Sequence, residues 1–309
     1  MESRLIFIDG ISGSGKTSTG QFLYRQCLLN GLDVNFLHEF HIPHPIHEWS
    51  LTDAGEWIDV TLDHWRMFVD NTFGSENIVI MDSTLFQGTM AVLLELDVDR
   101  DTILDYAVQV PEIIKPLNPS LIYFYQTDYR KALLRIYNER EERTKIKKNN
   151  YIRTIRYGQN RQLYGHEGYM QFVEELRDIS NELVSKYDIS KICIENSQGD
   201  WNDYHRQIMQ FLSLPYIKEV ITAGDYEGLY RDLRSGQECH IRHNSDEELE
   251  IRGFFPVIKF LCPRSIDTFF IRGKAHELIF QRGENGNVIN MISRWYIKES
   301  EETVWSKIE

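Results

Sequence analysis

The segment Leu5-Ile6-Phe7-Ile8-Asp9 is an apolar β-run, and it empties into Gly10-Ile11-Ser12-Gly13-Ser14-Gly15-Lys16-Thr17, after which a helical pattern starts at once. A buried strand, a glycine-rich turn and a helix in that order leave few folds open. Glycines at 10, 13 and 15 let the backbone curl so that successive N–H groups face one concavity, which suits phosphate oxygens. The helix beginning near Lys16 adds the positive end of its dipole. Lys16 is placed to reach β- and γ-phosphates, and the Thr17 hydroxyl to bind Mg²⁺. A nucleoside triphosphate is therefore the expected ligand of Gly10, Ser12, Gly13, Ser14, Gly15, Lys16, Thr17 and Ser18.

Periodicity divides the chain near residue 215. Before it, short apolar strands at 4–9, 33–38, 77–81, 120–126 and 190–195 alternate with helical patterns at 16–30, 54–72, 86–95, 100–114, 128–143, 150–164, 168–187 and 201–213. That alternation predicts a three-layer α/β domain over 1–214, a parallel sheet with helices on both faces. Ligands in such sheets sit at the C-terminal strand ends. After Pro215 the pattern is all β, with strands expected at 237–243, 247–251, 255–261, 267–272, 276–282 and 287–293. The best hairpin signal is Asn285-Gly286. Six short strands over 215–309 predict a small antiparallel barrel or curved sheet with a core of its own. A chain ending near Leu214 is accordingly expected to fold.

Net charge is −13 over 309 residues, which argues against a general polyanion binder and makes a nucleic-acid partner unexpected. Residues 130–161 reverse the balance, with eleven Lys/Arg against three Asp/Glu. Beside a phosphate-binding loop, such a run reads as a lid that closes over the nucleotide. Arg135, Arg140 and Arg143, with Arg153 and Arg156 behind them, are its candidate phosphate clamps, since planar guanidiniums bind phosphate bidentately. No stretch approaches the roughly 20 apolar residues that cross a bilayer. Cys27, Cys193, Cys239 and Cys262 are far apart, as thiols of a reducing cytosol would be. A cytoplasmic protein is expected.

Two strand-end carboxylates complete the chemistry. Asp82 closes the run Ile78-Val79-Ile80-Met81 and is expected at the sheet edge, holding Mg²⁺ directly or through water. Glu39 follows the second strand and can take the proton of an acceptor hydroxyl. Asp9, at the end of the first strand, competes for that role. His41, Trp57, Trp65, Phe86 and Gln87 are candidate acceptor contacts. For the aromatic residues at helical spacing, a core stripe is the default explanation and contact with a planar or aromatic substrate the sharper alternative. His38, His41, His44 and His47 recur every three residues, but Pro43 and Pro45 break the helix that would align them on a metal.

The run Asp9–Thr19 resembles the opening of the thymidylate kinases and their relatives. Leu121–Ile136 resembles the strand, turn and helix that lead into the lid of that superfamily, with Arg140 and Arg143 matching lid arginines. Glu39 stands where the deoxynucleoside kinases carry their catalytic Glu, and Lys191–Asn196 with Asp200-Trp201 resembles their last strand and helix. The resemblance covers about residues 3–213 and implies a P-loop kinase-type fold. Two departures bear on the acceptor. Asp82-Ser83 replaces an Asp-Arg pair of the thymidylate kinases, and Ser12 replaces their loop Asp, which favours an unphosphorylated hydroxyl acceptor. Asp225–Tyr230, Phe255–Ile258 and Asp267–Phe270 resemble the small β domain appended to some serine-β-lactamase-like proteins, which implies no chemistry.

Together these features predict an ATP- and Mg²⁺-dependent small-molecule kinase acting on a hydroxyl of a nucleoside, sugar, antibiotic or other metabolite. The alternative is a regulatory P-loop NTPase whose β module binds a partner. The β module could also form a wall of the acceptor pocket, a specificity element or a homo-oligomer contact.

Overall fold

The computed structural model describes residues 3–138, 146–147, 150–218, 225–244 and 248–308. Two compact units emerge, one from Met1–Lys16, Leu32–Glu39 and His44–Pro215, the other from Thr17–Gly31, Phe40–Pro43 and Tyr216–Glu309.

The first unit is built on a parallel sheet in the order β2-β3-β1-β4-β5, from β1 (Leu5–Gly10), β2 (Val34–Leu37), β3 (Ile78–Asp82), β4 (Ser120–Tyr125) and β5 (Ser190–Glu195). The central strands read as continuous apolar runs because both faces are covered. On one face Leu5, Phe7, Val79, Met81, Leu121 and Tyr123 share a core with α2 (Ala54–Thr72), α3 (Met90–Glu95), α4 (Arg100–Ala107), α5 (Gln109–Ile114) and the later helix α8 (Gly165–Lys186). On the other, Phe124 meets the Trp201 ring of α9 (Trp201–Phe211) at 5.9 Å. Asp53 and Asp200 cap α2 and α9 by accepting the N–H groups of Glu56 and Asp203.

Several expected helices are interrupted. The pattern over 86–95 resolves into a π-helical turn, Thr84–Gly88, followed by α3. The pattern over 100–114 breaks at Val108 into α4 and α5. Of the expected 128–143 helix, α6 spans Tyr129–Asn138. The 150–164 pattern yields the short α7 (Arg156–Asn160).

The second unit contains a closed antiparallel barrel of eight strands: β6 (Gly228–Asp232), β7 (Glu238–His243), β8 (Leu249–Arg252), β9 (Lys259–Pro263), β10 (Thr268–Ile271), β11 (His276–Arg282), β12 (Val288–Trp295) and β13 (Thr303–Lys307). Each pairs with its neighbour in sequence, and β13 closes on β6. The two strands absent from the sequence reading, β6 and β13, are the pair that makes the closure. Closure leaves no free edge. Tyr230, Ile241, Leu249, Ile251, Phe269, Leu278, Phe280, Met291 and Trp305 belong to one buried cluster. Eight strands enclose a space just wide enough for side chains to fill, so the interior is a core. Charged residues pair across the outer wall, Arg231 with Glu238 and both Arg242 and Arg252 with Glu250.

The helix that follows the glycine-rich loop, α1 (Lys16–Leu29), groups from Thr17 onward with this barrel. Two buried glutamines explain why. The Gln21 carboxamide accepts the Gly273 N–H at 2.9 Å and donates to the Lys274 carbonyl at 2.9 Å. Gln26 donates to the Ile217 carbonyl and accepts the Ile217 N–H, each at 2.9 Å. Tyr24 packs edge-on against Phe270. Apolar periodicity carries no trace of such amide clamps, which join a helix before residue 215 to residues after it. Removing residues after 214 would strand Gln21 and Gln26 without these partners. Gln21→Ala removes both bonds to the Gly273 N–H and the Lys274 carbonyl, each worth about 0.5–1.5 kcal/mol at this part-exposed edge. We expect a lowered thermal midpoint for the full chain. An unchanged midpoint would mean that the clamp contributes nothing to the barrel unit.

Candidate active site

The C-terminal edge of the parallel sheet collects the polar side chains that the apolar strands do not tolerate. Gly10 ends β1 with φ +143°, and a Cβ there would lie 2.3 Å from the Phe124 carbonyl oxygen, so the loop leaves the sheet through a gap only glycine fits. Gly15, at φ +89°, lies against the Trp201 ring, which a Cβ would meet at 2.1 Å. Asn196, the first residue after β5, donates to the Ser14 carbonyl at 2.6 Å and accepts from Gln126, the first residue after β4, at 2.9 Å. Trp201, Asn196 and Gln126 thus brace the loop. The sequence reading did not assign them a role. The available signal was their position immediately beyond the apolar runs, and for Trp201 the first turn of a helix.

Asp9 is fully buried. Its Oδ1 accepts the Gly10 N–H at 2.8 Å and lies 3.4 Å from the Gln87 nitrogen, while Oδ2 accepts the Phe86 N–H at 2.8 Å. Burial pushes its carboxyl up to about 6, against the pull of the Lys16 ammonium and of these backbone donors. Asp9 therefore joins the start of the glycine-rich loop to the π-helical turn. That turn follows Ser83, which takes the left-handed conformation at φ 60°. π-Helical turns are frequent at functional sites.

The turn delivers Gln87 to Lys16. The Lys16 ammonium, almost wholly buried, donates to Gln87 Oε1 at 2.7 Å and to the Ile11 carbonyl at 2.9 Å. At its other end, Gln87 Nε2 lies 3.5 Å from Glu39 Oε2. Glu39 is half-buried, and its carbonyl is 3.0 Å from His47 Nδ1. Burial pushes His47 down to about 4, so that ring is neutral near pH 7. Its Nε2 lies where a Cβ on Gly88 would be, at 2.3 Å, which fixes glycine at that position. Asp82 is fully buried at the end of β3. Its Oδ1 accepts the Ser83 hydroxyl at 2.7 Å, and Oδ2 is 3.9 Å from His38 Nε2. A carboxylate at this edge is a hard oxygen donor of the type Mg²⁺ takes.

The structure thus brings Lys16, Gln87 and Glu39 together, with Asp9 beneath them. Other expected contacts fall elsewhere. Trp57 and Trp65 are completely buried, with their indole N–H groups donating to the Glu48 carbonyl and the Tyr106 hydroxyl. Phe86 packs on Tyr123 and Tyr187. These three lie in the core, as a core stripe would. Spacing alone does not tell an aromatic stripe that faces the sheet from one that faces a ligand. Thr17 and Ser18 begin the segment that groups with the barrel, where a Cβ on Gly273 would come within 3.0 Å of the Ser18 hydroxyl. His41 lies in the Phe40–Pro43 segment of that same unit, and burial together with Arg264 pushes it down.

In the basic segment, Arg135 is exposed in the last turn of α6, and Arg140 and Arg143 lie outside the described residues. Arg130 is paired with Glu174 at 2.6 Å, and Arg161 is bonded to Asp97 and lies over the Tyr157 ring. Among the described residues, no three His, Cys, Asp or Glu side chains gather as a metal site, and no helix is long and apolar enough to cross a membrane.

No protein-family model matches the chain, and no curated protein matches it. Solved structures do. The YorR protein of Bacillus subtilis, in complex with phosphorylated GDP, is 11% identical at a TM-score of 0.38, over 68% of this chain and 95% of its own. Deoxyadenosine kinase from M. mycoides with bound dATP is 18% identical at a TM-score of 0.39, over 68% and 99%. Thymidylate kinase from Ehrlichia chaffeensis is 16% identical at a TM-score of 0.38, over 69% and 99%. The observed architecture is the expected one, an α/β domain on a parallel sheet followed by a small antiparallel β barrel.

Asp9 supplies a pH test. Its folded-state value, about 6, lies above the ordinary 3.8. The stability it contributes is therefore fully present below 3.8 and is lost as pH rises through about 6. Wild type should show this falling limb in unfolding free energy between those values, and Asp9→Asn should lack it. The variant should also lose about 1–3 kcal/mol near neutral pH, because its amide group meets a backbone donor where a carboxylate oxygen accepted one. Identical pH slopes in the two proteins would rule out Asp9 as the source.

Proposed function

We propose that this chain is an ATP-dependent kinase that transfers the γ-phosphoryl group to a hydroxyl of a small-molecule acceptor. The observation that carries the reading is the juxtaposition of the loop ammonium of Lys16 with the half-buried carboxylate of Glu39, joined by Gln87. A phosphate-binding cation and a proton acceptor stand one side chain apart, as transfer to an alcohol requires.

The loop N–H groups and Lys16 cradle the phosphates of ATP. The acceptor oxygen attacks the γ-phosphorus, the bond from that phosphorus to the β,γ-bridging oxygen breaks, and ADP departs. Glu39 takes the acceptor's proton. Asp9 is the poorer base, because its oxygens already accept backbone N–H groups. Lys16 stabilises charge on the phosphoryl oxygens and the leaving group in the transition state. Thr17 and Asp82 are the residues suited to hold Mg²⁺, which when bound neutralises phosphate charge. Exposed Arg135, and Arg140 and Arg143 beyond it in sequence, are the proposed lid cations. Ser83 stands in place of an arginine at the acceptor side, which suits an unphosphorylated hydroxyl such as that of a nucleoside, sugar or antibiotic.

The grouping of α1 with the barrel favours one second reading. A β module that holds the helix after the phosphate loop suits a regulatory NTPase with a partner-binding barrel. ADP release that depends on an added hydroxylated acceptor distinguishes the kinase. Release that depends only on a protein partner supports the switch.

Lys16→Ala should lower kcat on the order of 10²–10³-fold with the fold intact. Turnover near that of wild type would remove the loop from the reaction. Glu39→Gln should lower kcat by roughly 10²–10⁴-fold while ATP affinity holds. Asp82→Asn should be partly rescued by raised Mg²⁺, and an Asp82→Asn enzyme indifferent to metal concentration would exclude Asp82 as a ligand.

A further inference from the structure

We infer that Gln87 is a positioning residue that holds the Lys16 ammonium until phosphate displaces it. This rests on the kinase reading and deepens it.

The chemistry of the carboxamide sets its two ends. Lysine only donates and an ionised carboxylate only accepts. Gln87 turns Oε1 to Lys16 at 2.7 Å and Nε2 to Glu39 Oε2 at 3.5 Å, the one orientation in which both ends match their neighbours. A glutamate in its place would repel Glu39. A lysine there would repel Lys16. The backbone beneath is fixed, since Asp9 receives the N–H of Phe86 and lies against that of Gln87 while also holding Gly10. Gln87 therefore stands at a set distance from the phosphate loop.

Counting N–H bonds shows what the nucleotide must change. An ammonium has three. In this structure one goes to the Ile11 carbonyl and one to Gln87. Bridging a β- and a γ-phosphate takes two, so one protein contact has to yield. The Ile11 carbonyl is part of the loop that cradles the phosphates, whereas Gln87 contributes a side chain with rotatable bonds. Gln87 is the contact that yields. Once its Oε1 is released, the carboxamide can rotate, and Nε2 can close the 3.5 Å gap to Glu39.

Equilibrium titration of ATP with Mg²⁺ tests this without knowledge of the acceptor. Gln87→Met keeps length and removes both polar ends, which frees Lys16, so its affinity for ATP should equal or exceed that of wild type. Gln87→Ser should behave in the same way. Gln87→Glu turns the contact into an ion pair, and ATP affinity should fall at least tenfold below that of Gln87→Met. A role confined to packing would weaken all three variants together. Near-ultraviolet circular dichroism establishes that each is folded, and if Gln87→Glu is not, the Met and Ser variants decide by their direction alone. Met and Ser variants that bind ATP as poorly as Lys16→Ala, or a folded Glu variant equal to the Met variant, would overturn the proposal. A wild-type chain that takes up no ATP would instead sink the kinase reading, and this inference with it.

Discussion

The buried carboxylate of Asp9 is the interaction on which the site depends. It lies at the end of the central strand, where the chain must leave the sheet and turn into a loop of glycines. A loop with so little side-chain packing has no core to hold it, and Asp9 supplies the missing restraint by bonding forward to Gly10 and across to the turn after β3. The cost of burying it is visible in its raised proton affinity. A neutral residue of the same shape would avoid that cost but could not accept on both oxygens. The position of Gln87, and through it of Lys16, follows from this one group.

Around that anchor the site is assembled by a simple rule of parallel sheets. Strands buried on both faces admit apolar residues along their length, so the first polar residue appears where each strand ends. Asp9, Glu39, Asp82, Gln126 and Asn196 all stand at or just beyond such ends. Asn196 bonds to Ser14 of the glycine-rich loop, and Gln126 bonds to Asn196 behind it. The loop is thus braced from the β4–β5 side as well as from β3.

Much of this was legible in the sequence. The five parallel strands, the loop and the change to an all-β pattern after Pro215 are written in periodicities of 3.6 and 2 and in glycine placement. The Asp82 and Glu39 positions follow from the ends of those runs. What stayed hidden depends on partners far away in the chain. Gln21 and Gln26 look like ordinary helix residues, yet they clamp α1 to Gly273, Lys274 and Ile217. Trp57 and Trp65 show a stripe, but only packing decides that it faces the core. The sequence offers Gln87 only as a candidate contact. Its bond to Lys16 was not legible, because a π-helical turn shifts register relative to the helical period read over 86–95.

The filled interior of the barrel has a consequence for how this protein can change. With Tyr230, Phe269, Leu278, Phe280 and Trp305 packed inside, inward positions constrain one another, and a substitution there leaves a cavity or a clash. Some outward positions are tied only in exposed pairs, as Arg231 is to Glu238, whereas the buried carboxylate of Glu250 holds both Arg242 and Arg252. Exposed pairs of this kind are worth about 0–1 kcal/mol each. Where the pairs are exposed, the outer wall can therefore exchange or reverse its charges while the barrel stays folded, but not at buried Glu250 and Glu277, each of which holds two arginines. Related chains can keep one barrel and carry quite different electrostatic faces, so divergence among them should concentrate at outward positions and leave the inward ones alone.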